Sequence, residues 1–398
     1  MAQAYIVAAT RTAGGKRGGK LSGWHPADLA AQVLDELVRR SQADPAQVED
    51  VIMGCVSQVG QQATNVARNA VLASSLPESV PGTTVDRQCG SSQQALHFAA
   101  QAVMSGSMDM VIAAGVESMS RVPMGTPNAL PAKAGLGVYM SPAMQQRYPG
   151  VEFSQFMGAE MMAGKYGLTK DQLDAYALQS HERAVQAARE GRFDREILAV
   201  QARSAEGGAE GGAEGEGQPH TVDEGIRFNA TLEGIAGVKT IREGGCVTAA
   251  TASQICDGAS GVMVVSERGL KALGVQPLAR IHHMSLLGHD PVIMLEAPIP
   301  ATQAALKKAG MRISDIDLYE VNEAFAPVPL AWVQATGADP ARLNVNGGAI
   351  ALGHPLGASG TKLMATLIHA LHARGGRYGL QTMCEGGGMA NVTIIERL

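Results

Sequence analysis

Two of the five cysteines, at 55, 89, 246, 256 and 384, sit where a sulfur could act as a nucleophile. Cys89 lies in Asp86-Arg87-Gln88-Cys89-Gly90-Ser91-Ser92, small polar residues ahead of an Ala-rich helical pattern (Ala95, Leu96, Ala99, Ala100, Val103). The pattern is apolar around most of its circumference, which predicts a buried helix with the sulfur at its N-terminus. There the helix dipole favours a thiolate. Moving a thiol from a pKa of about 8.5 to about 7 takes roughly 2 kcal/mol, and a helix end supplies about 0.3–1 kcal/mol. A base or a cationic histidine must therefore help. Cys384, in Met383-Cys384-Glu385-Gly386-Gly387-Gly388, follows an apolar strand pattern, and the glycines after it offer free amides for an oxyanion. Cys55, in Ile52-Met53-Gly54-Cys55-Val56, reads as an inert buried thiol.

A candidate base stands in Asn344-Val345-Asn346-Gly347-Gly348-Ala349-Ile350-Ala351-Leu352-Gly353-His354-Pro355-Leu356-Gly357-Ala358-Ser359-Gly360. Its five glycines allow close backbone approach and set His354 just before a largely apolar helix. This is no phosphate loop, because Gly360-Thr361-Lys362 replaces the required Gly-Lys-Ser/Thr. No GxGxxG follows the first strand, and no GxSxG is present. Among the other histidines, His97, His181, His369 and His372 read as helix residues, and His282-His283 lacks metal-ligand spacing. Asn322-Glu323-Ala324-Phe325 ends another strand, and a polar pair there implies that it faces a cavity.

Short apolar runs at Tyr5–Ala9, Val111–Ala114, Val262–Val265 and Val392–Ile395 alternate with helical patterns, which predicts an α/β fold. Pro26 and Asp28 open one helix, whose face carries Leu29, Val33, Leu34, Leu37 and Val38. Thr169 and Gln172 form a capping box for another that runs to about Gly191. A weak repeat links Val48–Cys55 with Ile316–Glu323, each after an amphipathic helix, and Cys89-Gly90-Ser91-Ser92 with the His354–Ser359 stretch. The similar offsets imply two copies of one α/β unit. Residues 119–249 differ in composition, with seven of the 19 methionines and a Gly/Ala/Glu tract over 204–219 that reads as a solvated loop. We read this stretch as an insertion covering the site; its methionines are adaptable enough to line an acyl-binding wall, and equally suit ordinary packing or a subunit contact. The expected boundaries are 1–118 plus about 250–270 for the first half, 119–249 for the insertion and 271–398 for the second half.

The 398 residues balance 32 Lys and Arg against 37 Asp and Glu, a net charge of −5 with no basic block, which argues against a nucleic-acid partner. No apolar run approaches the roughly 20 residues of a membrane span. The N-terminus lacks the pattern of a secretory signal, and Glu396-Arg397-Leu398 is no peroxisomal address. Five cysteines without a CxxC suit neither a disulfide framework nor a zinc site, so a cytoplasmic protein without a metal is expected.

Taken together and in this order, the motifs resemble the thiolase family, the acetyl-CoA acetyltransferases and 3-ketoacyl-CoA thiolases. The resemblance runs from Val7-Ala8-Ala9-Thr10-Arg11-Thr12 through the Cys89 segment, Gly115-Val116-Glu117-Ser118, Asn322-Glu323-Ala324-Phe325 and Gly353-His354-Pro355 to Cys384-Glu385-Gly386. It implies duplicated α/β halves in a layered αβαβα core with an inserted loop domain. It also implies acyl transfer through a cysteine acyl-enzyme, either cleaving 3-oxoacyl-CoA with CoA or condensing two acetyl-CoA. By the resemblance, Cys89 is the nucleophile, His354 takes its proton, and Cys384 exchanges a proton with the α-carbon or the CoA thiol. Asn322 holds a water that joins His354 in one oxyanion hole, and the amides of Cys89 and Gly386 form a second. Ser253, Met157 and Phe325 match CoA-binding positions. Where short-chain biosynthetic members have His-Met-Gly, this chain has Phe156-Met157-Gly158, which favours a degradative or broad-range member. CoA and acyl-CoA are then substrates, no cofactor is needed, and a dimer or tetramer is expected. Two other readings stay open: a ketoacyl-synthase-like condensing enzyme, and a non-catalytic acyl-CoA or lipid binder on the same fold. Cys384 speaks against the first, and the full set of catalytic residues against the second.

Overall fold

The structure, a computed structural model, describes residues 2–205 and 217–398, so most of the 204–219 tract lies outside the described residues. The first apolar run forms β1 (Tyr5–Thr12). In α1 (Pro26–Ser41), Pro26 presets the first turn, the His25 ring accepts from the Ala27 amide, and Asp28, Arg39 and Arg40 sit at the ends the dipole favours. Then come β2 (Asp50–Gly54), α2 (Val66–Ala73), β3 (Gly82–Val85), α3 (Ser91–Met104) and β4 (Met110–Ser118). The following stretch carries α4 (Gln155–Lys165) and α5 (Lys170–Arg189), the latter opened by the expected Thr169–Gln172 capping box. The chain continues through β5 (Cys256–Val265), β6 (Ala279–Gly288), α6 (Pro298–Ala309), β7 (Leu318–Val321), α7 (Pro327–Thr336), α8 (Ser359–Arg374), β8 (Tyr378–Glu385) and β9 (Met389–Arg397).

Among the described residues these strands lie on one 11-stranded mixed sheet, in the order β7-β8-β9-β6-β1-β5-β4-β2-β3. Its midpoint is a short antiparallel contact of Tyr5 with Arg280 and Ile6 with Ala279. The two sides mirror each other: β4 and β2 run parallel in one, β8 and β7 in the other. Leu318, which opens β7, lies 268 residues after Asp50, which opens β2, and Tyr378 of β8 lies the same distance after Met110 of β4. The repeat is thus present in the fold.

Helices α1 and α2 cover the outer face of the first half-sheet, and α6 and α7 that of the second. Between the half-sheets α3 and α8 pack on each other, burying Ala95, Leu96, Ala99 and Val103 against a cluster that includes Met364, Leu367 and Leu371. This is the expected αβαβα layering. Glycines let the N-termini of the two central helices cross closely: a Cβ at Gly54 would strike the Ser92 amide, and one at Gly115 the Gly357 carbonyl. The Thr361 amide donates to Ser92 Oγ at 3.0 Å across that crossing. The buried Glu117 carboxyl accepts from the amides of Val56, Ser57 and Gly357 and from Gln62 Nε2, which fastens the His354 loop to the first half.

Candidate active site

Cys89 occupies a tight turn between β3 and α3. Gln88 takes the left-handed region at φ 49°, uncommon for a residue with a side chain. Asp86 Oδ1 accepts from the Gln88 amide at 2.7 Å, while Ser91 Oγ accepts from the Arg87 amide and donates to the Gln88 carbonyl. These bonds hold the sulfur, partly exposed, at the head of α3. The helix end, too weak by itself to make a thiolate, is outweighed here. Burial first, then the carboxyls of Glu385, Glu117 and Asp86, push the thiol up to about 12. At rest Cys89 is a thiol, and a base would have to take its proton before the sulfur could attack.

Cys384 is buried at the end of β8, paired with Ala390 before the 386–388 glycine turn. Its pKa is raised well above the ordinary thiol value, by burial and then by Cys89, so the two sulfurs lie within electrostatic reach of each other. The loops carrying them interlock: Asn391 Nδ2 donates to the Gly90 carbonyl at 3.0 Å, and a Cβ at Gly386 would stand 2.8 Å from Gln88 Oε1. Gly386 therefore lies against the residue preceding Cys89. In register with this strand, the Asn322 amide donates to the Thr382 carbonyl just past the end of β7.

His354 lies in the loop ahead of the second central helix. Gly353, at φ 79°, turns the chain after a short helix, and the His354 amide donates to the Gln254 carbonyl. Its Nδ1 lies 2.5 Å from Ser359 Oγ, whose own proton goes to the Pro355 carbonyl. This network assigns the proton to Nδ1 and leaves Nε2 as the acceptor, 3.4 Å from Asn322 Nδ2. Burial, and then the Lys362 ammonium, push the imidazole pKa down to about 3. The ring is neutral at physiological pH and can accept a proton. Asn322 Oδ1 is buried with no partner among the described residues, and a cavity of about 10 Å³ beside it is lined by Asn322, Ser359 and Lys362. That is room for about one water.

Sequence reasoning missed the support under His354. Lys362 Nζ donates to the carbonyls of Leu352 and Gly353, the residues just ahead of the imidazole, at 2.6 and 3.2 Å. It lies 3.8 Å from Asp223, which pairs at 2.8 Å with the fully buried Arg11, itself 2.6 Å from Glu196. Only Arg11 in the opening motif hinted at this network, since its partners lie about 200 residues away along the chain. Glu323, expected to face a cavity, does something else. Buried, it accepts from Tyr176 OH, Ser180 Oγ, Asn344 Nδ2 and the Ile350 amide, locking α5 to the second half.

The three candidate CoA-binding residues are only partly united. Ala252 pairs with Phe325, and the Ser253 amide donates to the Ala324 carbonyl, so Ser253 and Phe325 are neighbours. Phe156, not Met157, meets Phe325, with ring centroids 5.5 Å apart. Met157 lines an open groove of about 440 Å³ with Met161, Leu168, Arg242 and Cys246. Among the described residues no helix is long and apolar enough to cross a membrane, and no group of three His, Cys, Asp or Glu side chains could hold a metal ion.

Comparison with known proteins agrees with this arrangement. Residues 4–268 match the model of the thiolase N-terminal domain, and residues 275–397 that of the thiolase C-terminal domain. The chain is 52% identical over 400 residues to the steroid 3-ketoacyl-CoA thiolase FadA6 of Mycobacterium tuberculosis, covering 100% of this chain and 95% of the relative. It is 40% identical over 405 residues to the 3-ketoacyl-CoA thiolase of Shewanella frigidimarina, covering 100% of both. The similarity to that of Psychrobacter cryohalolentis is 41% over 398 residues, 99% of this chain and 97% of the relative. The chain belongs to the thiolase family and is an acyltransferase of that family.

Proposed function

We propose that this thiolase works in the degradative direction, cleaving a 3-ketoacyl-CoA with CoA to acetyl-CoA and a shortened acyl-CoA, and that its acyl group is bulky. His354 Nε2 takes the Cys89 proton as the sulfur attacks the 3-keto carbon. The C2–C3 bond breaks, Cys384 protonates the departing acetyl-CoA enolate, and the acyl group stays on Cys89 as a thioester. The Cys384 thiolate then accepts the proton of incoming CoA, whose sulfur takes the acyl group. The Cys89 sulfur departs and recovers its proton from His354. Oxyanion charge falls to a water on Asn322 together with His354, and to the amides of Cys89 and Gly386. Losing one such donor typically costs about 10²–10³ in rate. The observation that supports this reading is a pair of pairs: a neutral His354 imidazole 3.4 Å from Asn322, whose side-chain oxygen is unpartnered among the described residues, and the Cys89 and Cys384 thiols within electrostatic reach of each other.

Ser253 and Phe325 would flank the pantetheine arm, and Met157 a wall of the acyl site. The name of the 52%-identical relative supports a polycyclic, steroid-derived acyl group, and the groove beside Met157 and Met161 is wide enough to take one. A thiolysis panel from acetoacetyl-CoA through long-chain to ring-bearing 3-ketoacyl-CoA tests this. We expect kcat/KM at least tenfold higher for the ring-bearing substrate, and a preference for acetoacetyl-CoA would overturn the substrate class. The halves and insertion at 1–118 plus about 250–270, 119–249 and 271–398, a cytoplasmic location and assembly as a dimer or tetramer complete the proposal. Assembly is supported by β3, a sheet-edge strand paired on one side only. Light scattering on the purified protein reads the assembly state.

A further inference from the structure

Glu385 follows Cys384 in the chain and closes β8 opposite Met389. Its carboxyl is fully buried, and neither oxygen has a hydrogen-bond partner among the described residues. It lies directly under the nucleophile's turn, where a Cβ at Gly90 would collide with Oε1. A carboxyl with no donor, wedged beside two thiols, is a poor place for a charge.

We propose that Glu385 is a positioning residue that works as a neutral acid: it keeps its proton while Cys89 surrenders one to His354, so that no anion opposes the forming thiolate. This rests on Cys89 being the nucleophile. The charged and titratable groups facing it are Arg87 and Cys89 from the turn before α3 and Cys384 from its own strand, while Asp86 from that turn and Glu117 from β4 act on Cys89. Gly90 and Asn391 complete its surroundings and do not titrate. Burial pushes the Glu385 pKa up to about 8, and Arg87 pulls the other way. The sign follows. Below about pH 8 the carboxyl is neutral and leaves the thiols alone. Above it, a carboxylate forms beside them and makes thiolate formation harder.

The test is the rate of iodoacetamide alkylation of the full-length protein from pH 6.5 to 9.5, wild type against Glu385→Gln, with the modified peptide identified by mass spectrometry. The expected ratio of variant to wild-type rate at Cys89 is near one at pH 6.5 and rises to about tenfold by pH 9.5, one unit of thiol pKa. A ratio that stays flat with pH overturns the proposal and makes Glu385 a packing residue. Glu385→Ala, which removes atoms and adds no clash, gives the same crossover if the glutamine variant does not fold. Incubation of wild type with acyl-CoA separates the two claims. Acylation away from Cys89 defeats the nucleophile reading, whereas acylation on Cys89 with a flat ratio defeats only the role of Glu385.

Discussion

Cys89 combines a strained turn with a thiol that burial keeps protonated, so its reactivity depends on an acceptor and not on a resting thiolate. Replacing Cys89 with Ala should lower turnover by more than about 10³-fold while the circular dichroism spectrum stays native. Asn322→Ala should lower kcat by about 10²–10³ with a smaller change in KM, the signature of a donor used in the transition state. A buried histidine away from the chemistry gives a stability prediction. His97, whose Nε2 lies 2.8 Å from Thr393 Oγ1, is pushed down to about 3 by burial and then by Arg87 and His283. Below about pH 6.5 the unfolded chain binds a proton there that the folded protein refuses until about pH 3. Stability therefore drains away as pH falls across that window, by about 1.4 kcal/mol per unit. Urea titrations at pH 7 and 5 should show His97→Gln gaining on wild type at the lower pH, and a constant difference would refute the assignment. The proposed reacting residues stood out in the sequence because glycine-flanked Cys and His are rare settings. That a helix end alone could not make Cys89 a thiolate was legible, but a linear sequence does not reveal how much water or how many carboxyls surround a sulfur.

The elements were read more easily than their partners. Capping chemistry is local, so Thr169 and Gln172 announced α5, and the repeat announced β2 and β7 as equivalent strands of the two sides. Glu323 was misread because its four donors come from α5 and from the 344–350 loop, contacts that no local pattern encodes. Glu323→Ala leaves those donors buried and unmatched at about 1–3 kcal/mol each. Chemical denaturation should show a midpoint shift equivalent to several kcal/mol. Activity should fall with it, because Asn322 is the adjacent residue.

Across the whole molecule, the proposed site sits on a crossing with no room for a side chain at Gly54 or Gly115. Gly115→Ala drives a methyl into the Gly357 carbonyl and separates the heads of α3 and α8. Overpacking of this kind costs about 1–3 kcal/mol. Both the melting temperature and kcat should fall, and unchanged kinetics would show that the spacing is not critical. The order of the sheet carries a further consequence for biogenesis. Strand β9 is threaded between β8 and β6, yet it leaves the ribosome after every other strand of the sheet. A nascent chain that already displays Cys89 still lacks the interior strand that seats Cys384, so the proposed pocket cannot assemble before the strand ending at Arg397 has been made.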